Sequence, residues 1–348
     1  MGQRHRRKYP LSTPPTIYEV TALAGVSPAT VSRVLNGVPV SPAYAAKVRQ
    51  AAEALNFTPN RTARTLRRRS SEIIALIIPD IENPFFTALA RGVEDSAQAA
   101  GYSVVLCNTD ERQDKEAKYL KIALSEHMAG VILAPASNHT NLDAVVSRKT
   151  PVVAVDRSAH GYTVDAVLVD NAAGGRLATR ILYQQKFSRV ACITGPPDVE
   201  TAQERAAGWR KVVTAHNVDT AADEYLRFAN YRVDGGRSAM ADLMKLAEPP
   251  DAVFVANNLM SVGALQCLRE LGQAPPSIGM VAFGDHPFGG LTSAGITVVH
   301  HPARELGVTA AALLIERING DAQAARTVVL ATDAGRTIGD RASQTSEC

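Results

Sequence analysis

Residues 16–37 read TIYEVTALAGVSPATVSRVLNG. Thr16 stands three positions ahead of Glu19, the spacing of a capping box, in which the hydroxyl takes the third amide of a helix and the carboxylate reaches back to the first. Ser27-Pro28 places a hydroxyl cap before a proline at the first helical position, where the missing N–H is not needed. Gly25-Val26 supplies a tight turn between these two starts, and Ser41-Pro42 repeats the start signal for a third helix. Ile17, Val20 and Ala24, then Val31, Val34 and Leu35, then Val48, Ala52 and Leu55 recur at helical spacing and can converge on one small core. Residues 16–59 therefore predict a three-helix head.

Charge supports a polyanion partner for this head. Residues 1–70 carry twelve Lys or Arg against two acids, a local net of +10 on a chain of 348 residues whose total is +3. The remainder is acidic, at about −7, so a basic end is joined to an acidic body. Residues 1–15 read as a flexible basic arm, since Pro10, Pro14 and Pro15 interrupt any helix and little apolar surface is available to bury. Residues 60–70, NRTARTLRRRS, contain good helix formers and five Arg but almost no apolar face. An isolated helix of that length is marginal in water, and a linker that folds on meeting its partner fits better.

From residue 72 the texture changes. Short aliphatic runs at 72–78, 103–107, 130–134, 151–155, 166–169, 190–194, 252–256 and 278–283 alternate with helical stretches at 85–100, 113–127, 171–186, 203–216, 236–247, 258–271 and 303–319. Continuous apolar runs of this length suit parallel strands covered on both faces. The expectation is an α/β chain, the three-helix head followed by a core of two lobes built from parallel sheets flanked by helices, with ligands at the carboxyl ends of strands and between the lobes.

Residues 16–37 closely resemble the helix-turn-helix of the lactose/galactose repressor family. NRTARTLRR resembles the family's hinge, DIENPFF its first ligand loop, and VDNAAGG, TAQERAAGW and ANNLMSVGAL its later segments. The resemblance implies a helix-turn-helix head at 16–59, a hinge at 60–70, and an effector-binding and dimerisation core at 71–340 similar to periplasmic sugar-binding proteins. One lobe is expected over about 71–170 and 302–330, the other over about 171–301 and 331–340. It implies a homodimer on a pseudo-palindromic DNA operator, acting as a repressor under the control of a small metabolite.

In a helix-turn-helix the amino-terminal part of the second helix enters the major groove. Here that surface is Pro28, Ala29, Thr30 and Arg33, with Ser32 and Asn36 nearby. The Arg33 fork can take guanine O6 and N7 together, or bind phosphate. Thr16 and Ser27, as caps, can present hydroxyls and amides to phosphates, which position without specifying. Asn60, Arg61, Ala63 and Leu66 complete the candidate DNA contacts in the hinge. Leu66 is the outlier, an apolar side chain among arginines; the family's matching leucine wedges into a minor-groove step, and packing on the core is the alternative use.

For the effector, Phe85 and Phe86 follow the first strand and can stack on an apolar ring face. Asn108, Asp110, Asp156, Arg157, Arg205, Asn257 and Asp285 fall just beyond strands or in loops that the family uses for ligand contact. Arg205 can clamp a carboxylate, phosphate or sugar hydroxyl, whereas Asp156 and Arg157 can also pair with each other. Departures from the family pattern are Gly284 in Ala282-Phe283-Gly284-Asp285, where an acid is usual, Asn258 in Ala256-Asn257-Asn258, again replacing an acid, and Thr21 in place of a small alanine. Losing two acids near Arg205 makes a more positive cleft, and an anionic effector such as a sugar acid or phosphorylated sugar is the expectation.

Other classes find no support. There is no G-x-S-x-G elbow and no phosphate-binding glycine motif, and no catalytic residue or cofactor is expected. Cys107, Cys192, Cys267 and Cys348 are scattered without a C-x-x-C pair, so the first three read as buried thiols in a reducing compartment. Adjacent His300 and His301 diverge in a strand and lack further zinc-spaced ligands, which makes them structural and the expected metal none. No stretch reaches the roughly 18 to 20 apolar residues that span a bilayer, and the start lacks a secretory h-region, so a cytoplasmic protein is expected. A sugar-binding module without a DNA role is the competing reading, against which the capped head and the lack of an export signal weigh.

Overall fold

A computed structural model describes residues 15–35, 38–57, 71–216, 223–284 and 295–334. Of the candidate residues, Asn36, Asn60, Arg61, Ala63, Leu66 and Asp285 lie outside that set, as do the basic arm to residue 14 and the hinge. The chain separates into two compact units, Met1–Ser70 and Ser71–Cys348.

In the first unit α1 (Ile17–Ala24), α2 (Pro28–Leu35) and α3 (Pro42–Ala54) pack around Val20, Ala24, Val31, Val48 and Ala51, with Ile17, Val34, Leu35, Ala52 and Leu55 on the margin. The capping box forms, and Gly25 ends α1 in the left-handed region at φ 64°, its amide donating to Thr21 O. That conformation carries little steric penalty for glycine, which is why the turn sits there. Thr21 donates its hydroxyl to Ile17 O, so the replacement of alanine is absorbed within the helix.

The second unit holds two six-stranded sheets. The first comprises β1 (Ile73–Ile78), β2 (Ser103–Asn108), β3 (Gly130–Leu133), β4 (Val152–Val155), β5 (Asp165–Val169) and β11 (Thr327–Leu330), ordered β11-β5-β4-β3-β1-β2 and parallel throughout. The second comprises β6 (Val190–Thr194), β7 (Leu226–Phe228), β8 (Ala252–Val255), β9 (Gly279–Phe283), β10 (Ile296–His300) and β12 (Asp333–Ala334), ordered β12-β10-β9-β8-β6-β7, with β12 antiparallel to β10 and the rest parallel. Central strands β3, β4, β6, β8 and β9 are buried along their whole length, the condition that produces uninterrupted apolar runs.

Helices α4 (Pro84–Ala99), α5 (Gln113–Ser125), α6 (Asp143–Ser147) and α11 (Ala303–Ile318) accompany the first sheet, and α7 (Asn171–Gln184), α8 (Glu200–Ala215), α9 (Val233–Leu243) and α10 (Asn258–Glu270) the second. The chain passes between lobes at Val169–Asn171, at His300–Ala303 and between β11 and β12. Strands β7, β10, β11 and β12 and helix α6 escape the sequence pattern. The helix expected at 203–216 begins at Glu200, and the one expected at 236–247 runs Val233–Leu243. Helices α7 and α8 meet closely: a Cβ on Gly175 would lie 2.3 Å from Arg205 O, and one on Gly208 2.3 Å from Ala172 O. That approach fixes Arg205 against the interlobe crossover.

Candidate ligand cleft and DNA-facing helix

In the head, Ser27 caps α2 by accepting the Thr30 amide at 3.2 Å, and its oxygen lies 2.9 Å from Thr30 Oγ1. Ser27, Pro28, Ala29 and Arg33 are exposed, whereas Thr30 and Ser32 are half-buried. Ala29 and Arg33, four apart, share one helix face. The Thr16 amide and hydroxyl both donate to Glu19 Oε2, at 2.5 and 2.9 Å. Those donors are therefore already engaged, and the backbone hydrogen bond from Thr16 holds the Glu19 carboxyl below the usual range. A carboxylate thus stands where a phosphate contact is expected of Thr16.

In the core, one cleft is lined from both lobes. It gathers Phe85, Phe86, Asp156, Arg157, Arg205 and Asn257 together with Asp80, Asn83, Glu111, Thr201, Asn230, Tyr231, Arg232, Asn258, Phe283, Gly284 and His301. Asn108 and Asp110 are not brought onto this wall. Asn108 Oδ1 accepts the Ile81 amide at 2.9 Å, its Nδ2 donates to Asp110 at 2.8 Å, and Asp110 pairs with Lys115, so the two residues brace the loops behind. Asn83 and Asn257 are helix caps as well as lining: their Oδ1 atoms accept the Phe85 and Met260 amides, each at 3.0 Å.

The aromatic floor is a stack. Phe85 and His301 lie face to face at 4.1 Å, Phe85 meets Phe86 edge-on at 4.8 Å, and Phe283 meets His301 edge-on at 5.3 Å. Burial, reinforced by Arg205, holds the His301 pKa well below its ordinary value, so its ring is neutral. His300 is exposed and His301 buried. The two diverge as expected, but His301 belongs to the cleft wall, which its reading as merely structural did not anticipate.

The electrostatics add an acid that the sequence reading does not single out. Arg157 is held in a bidentate pair by Glu111, Nη1 to Oε2 at 2.7 Å and Nη2 to Oε1 at 2.8 Å, and Nη1 also donates to Pro135 O at 2.9 Å. Burial opposes the Arg157 charge, but Glu111 and Asp156 outweigh it and raise the pKa. Arg205 donates Nε to Asn171 Oδ1 and Nη1 to Ala256 O, both at 2.8 Å, and its carbon sits 4.2 Å from the centre of the Phe283 ring. Two of its three nitrogens are thus committed to the protein, and burial lowers its pKa. Asp80, Glu111 and Asp156 balance Arg157, Arg205 and Arg232 on the lining. Gly284 and Asn258 carry no acid on the lining, but Glu111, which the sequence reading does not single out, pairs with Arg157.

Three buried polar atoms on the lining have no hydrogen-bond partner among the described residues: Asp156 Oδ1, Arg157 Nε and His301 Nε2. Asp156 Oδ1 and His301 Nε2 are 3.9 Å apart, and Asp156 Oδ2 is 3.5 Å from Arg157 Nε. Burial raises the Asp156 pKa in spite of Arg157. Asp110, Glu111, Asp156 and Tyr231 all take left-handed backbone, with φ of 54°, 58°, 67° and 60°. Non-glycine residues hold such conformations at a cost that surrounding structure must offset, and they cluster where side chains are aimed at ligands. Tyr231 lies under Arg157, 5.8 Å from guanidinium carbon to ring centre, and shares a 2.9 Å hydrogen bond with Thr201 Oγ1.

Among the described residues no helix is long and apolar enough to cross a membrane, and no group of His, Cys, Asp and Glu could hold a metal ion. Cys107, Cys192 and Cys267 are buried free thiols, their pKa values raised by burial.

Comparison with known proteins adds to this geometry. Residues 71–334 match the family model described as periplasmic binding proteins and sugar binding domain of LacI family, and residues 16–60 match that of bacterial regulatory proteins, lacI family. The chain is 36% identical over 309 residues to the ribose operon repressor of Halalkalibacterium halodurans, covering 87% of this chain and 90% of that one. It is 34% identical over 307 residues to the ribose operon repressor of Escherichia coli K12, covering 87% and 93%. Among solved structures, the transcriptional regulator CelR in complex with cellobiose aligns over 93% of this chain and 99% of its own at a TM-score of 0.71 and 29% identity. The lac repressor dimer bound to operator and an anti-inducer shares the fold at a TM-score of 0.82 and 24% identity, over 93% and 98% of the two chains.

Proposed function

The chain belongs to the LacI family of bacterial regulatory proteins, and on that premise we propose that it is a dimeric repressor of a two-fold operator whose affinity for DNA is set by a small neutral sugar in the cleft. Pro28, Ala29, Thr30 and Arg33 carry direct readout, with Ser32 and Asn36 beside them. Ser27 positions the head on the backbone, the Thr16 donors being held by Glu19, and Asn60, Arg61, Ala63 and Leu66 act from the hinge. Phe85, Phe86, Asp156, Arg157, Arg205 and Asn257 hold the effector, with Glu111, Tyr231 and His301 as further wall residues; Asp285, outside the described residues, stays a candidate from the sequence. The head spans 16–59, the hinge 60–70 and the core 71–340.

The observation that carries the choice of a neutral ligand is the pair of unpartnered buried atoms, Asp156 Oδ1 and His301 Nε2. A hydroxyl satisfies both a carboxylate acceptor and a neutral imidazole, whereas a carboxylate or phosphate there would face Asp156 across a low-dielectric gap. Phe85 and Phe86 offer faces for the C–H side of a sugar ring. Glu111 pairs with Arg157 and two of the three Arg205 nitrogens are held by the protein, which leaves less positive charge free for an anion, and the ribose operon repressors among the relatives make D-ribose the first probe. Isothermal titration of the full chain should give saturable binding of D-ribose and at least tenfold weaker binding of D-ribose 5-phosphate and D-ribonate. Preferential binding of either anion would reverse the assignment.

A further inference from the structure

One carboxylate ties the lobes together from outside the ligand space. Glu200, the first residue of α8, belongs to the second lobe and does not line the ligand cleft. Its Oε2 accepts the Ser158 amide at 2.6 Å and its Oε1 the Ser158 hydroxyl at 2.9 Å, while its own amide donates to Asn138 Oδ1 at 3.0 Å. Ser158 and Asn138 are in loops after β4 and β3, in the first lobe. His160, from the same loop as Ser158, brings Nε2 to 3.6 Å from Glu200 Oε1, and the Asn138 amide donates to Asp198 O at 3.4 Å. Thr201, the next residue, does line the cleft, where it holds the Tyr231 hydroxyl under Arg157.

We propose that Glu200 is an interlobe latch and a positioning residue, which clasps the Ser158 and Asn138 loops and so sets the closed geometry of the Thr201–Tyr231 wall before any effector arrives. The position makes physical sense. A carboxylate at the first residue of a helix is favoured by the unpaired amides of the first turn, and charge-assisted hydrogen bonds to an amide and a hydroxyl are the strong kind. Loop residues Asn138, Ser158 and His160 approach from one side. On the other, Glu204 and Asp156 share with Glu200 the hollow behind the cleft. The two carboxylates repel Glu200, so its loop contacts are what keep it facing Ser158. Without the latch the closed arrangement is a smaller fraction of the unliganded population, and apparent effector affinity falls by that fraction.

The effect on effector affinity rests on the sugar-responsive reading above; the latch itself does not. Amide hydrogen exchange on the full-length, ligand-free protein tests it, comparing wild type with Glu200→Ala and Glu200→Gln. Protection of the Ser158 amide is expected in wild type, at least tenfold faster exchange there in the alanine variant, unchanged protection across 205–213, and partial recovery in the glutamine variant, which keeps one acceptor. Titration with D-ribose should show about tenfold weaker binding for Glu200→Ala. The latch is overturned if Ser158 exchanges freely in wild type, if the alanine variant changes it less than twofold, or if exchange quickens equally through the whole second lobe. Absence of D-ribose binding to wild type would count against the sugar reading, and the exchange pattern would still decide the latch.

Discussion

Asp156→Asn is expected to weaken D-ribose binding by about a hundredfold, or about 3 kcal/mol. The substitution is the cleanest available at this position, because asparagine tolerates the left-handed backbone that Asp156 adopts at φ 67°. Asp156 Oδ2 faces Arg157 Nε at 3.5 Å, so the amide oxygen of asparagine takes that side. The amide NH2 then points toward His301, where Oδ1 now waits without a partner. A donor replaces an acceptor, and a sugar hydroxyl loses its bond to Asp156. Burial already works against the Asp156 charge, so removing that charge should leave the thermal midpoint within a few degrees of wild type. Affinity within threefold of wild type would show that Asp156 does not hold the ligand.

The second large effect is expected from Glu111→Gln. Arg157 is 5% exposed and Glu111 22%, and their bidentate pair is the main compensation for a guanidinium taken out of water. Glutamine keeps the shape and one acceptor but leaves the positive charge uncompensated apart from Asp156. Breaking one partner of a buried pair costs about 3 kcal/mol, to be read as a lower urea midpoint of the core transition. Effector binding should weaken as well, since Arg157 carries the cation–π contact to Tyr231 and flanks Asp156. An unchanged midpoint together with unchanged affinity would mean that water or a rearranged partner satisfies Arg157 without Glu111.

The parts of this molecule that were legible in sequence are those whose chemistry is local. Capping pairs such as Ser27 with Thr30, and the recurring apolar positions from Ile17 to Leu55, declare the head without reference to anything distant. Strands such as β4 and β8 declare themselves because both faces are covered. Strands β7 and β11 lie at sheet edges and are partly exposed: β7 is three residues interrupted by Arg227, and β11, Thr327–Leu330, is a short run that alternates between exposed and half-buried positions. In the cleft, Asp156 was legible because it follows the end of β4 and Phe85 because it comes soon after β1, whereas Arg205, inside α8, was legible through the resemblance of TAQERAAGW to the family's segment. Glu111 and Tyr231 were not, because each sits in an irregular loop in left-handed conformation, and its place depends on a partner 46 or 30 residues away. His301 was read through its neighbour His300 as a failed metal pair, whereas its role comes from stacking on Phe85 and Phe283 across the crossover. The charge of the cleft is only half legible for the same reason: absent acids at Gly284 and Asn258 are visible in sequence, and Glu111, brought to Arg157 from another loop, is not.

The central claim is that occupancy of the core cleft sets the affinity of the head for a specific duplex. Its most direct test is fluorescence anisotropy of the full-length protein on a duplex that it has itself enriched from a randomised pool, titrated with and without saturating D-ribose at fixed salt. Tighter binding to the enriched duplex than to random fragments, falling steeply with salt and shifted at least tenfold by D-ribose, is the result the account predicts. Equal affinity for enriched and random duplexes, or an operator affinity that a cleft-saturating ligand leaves unmoved, would contradict it.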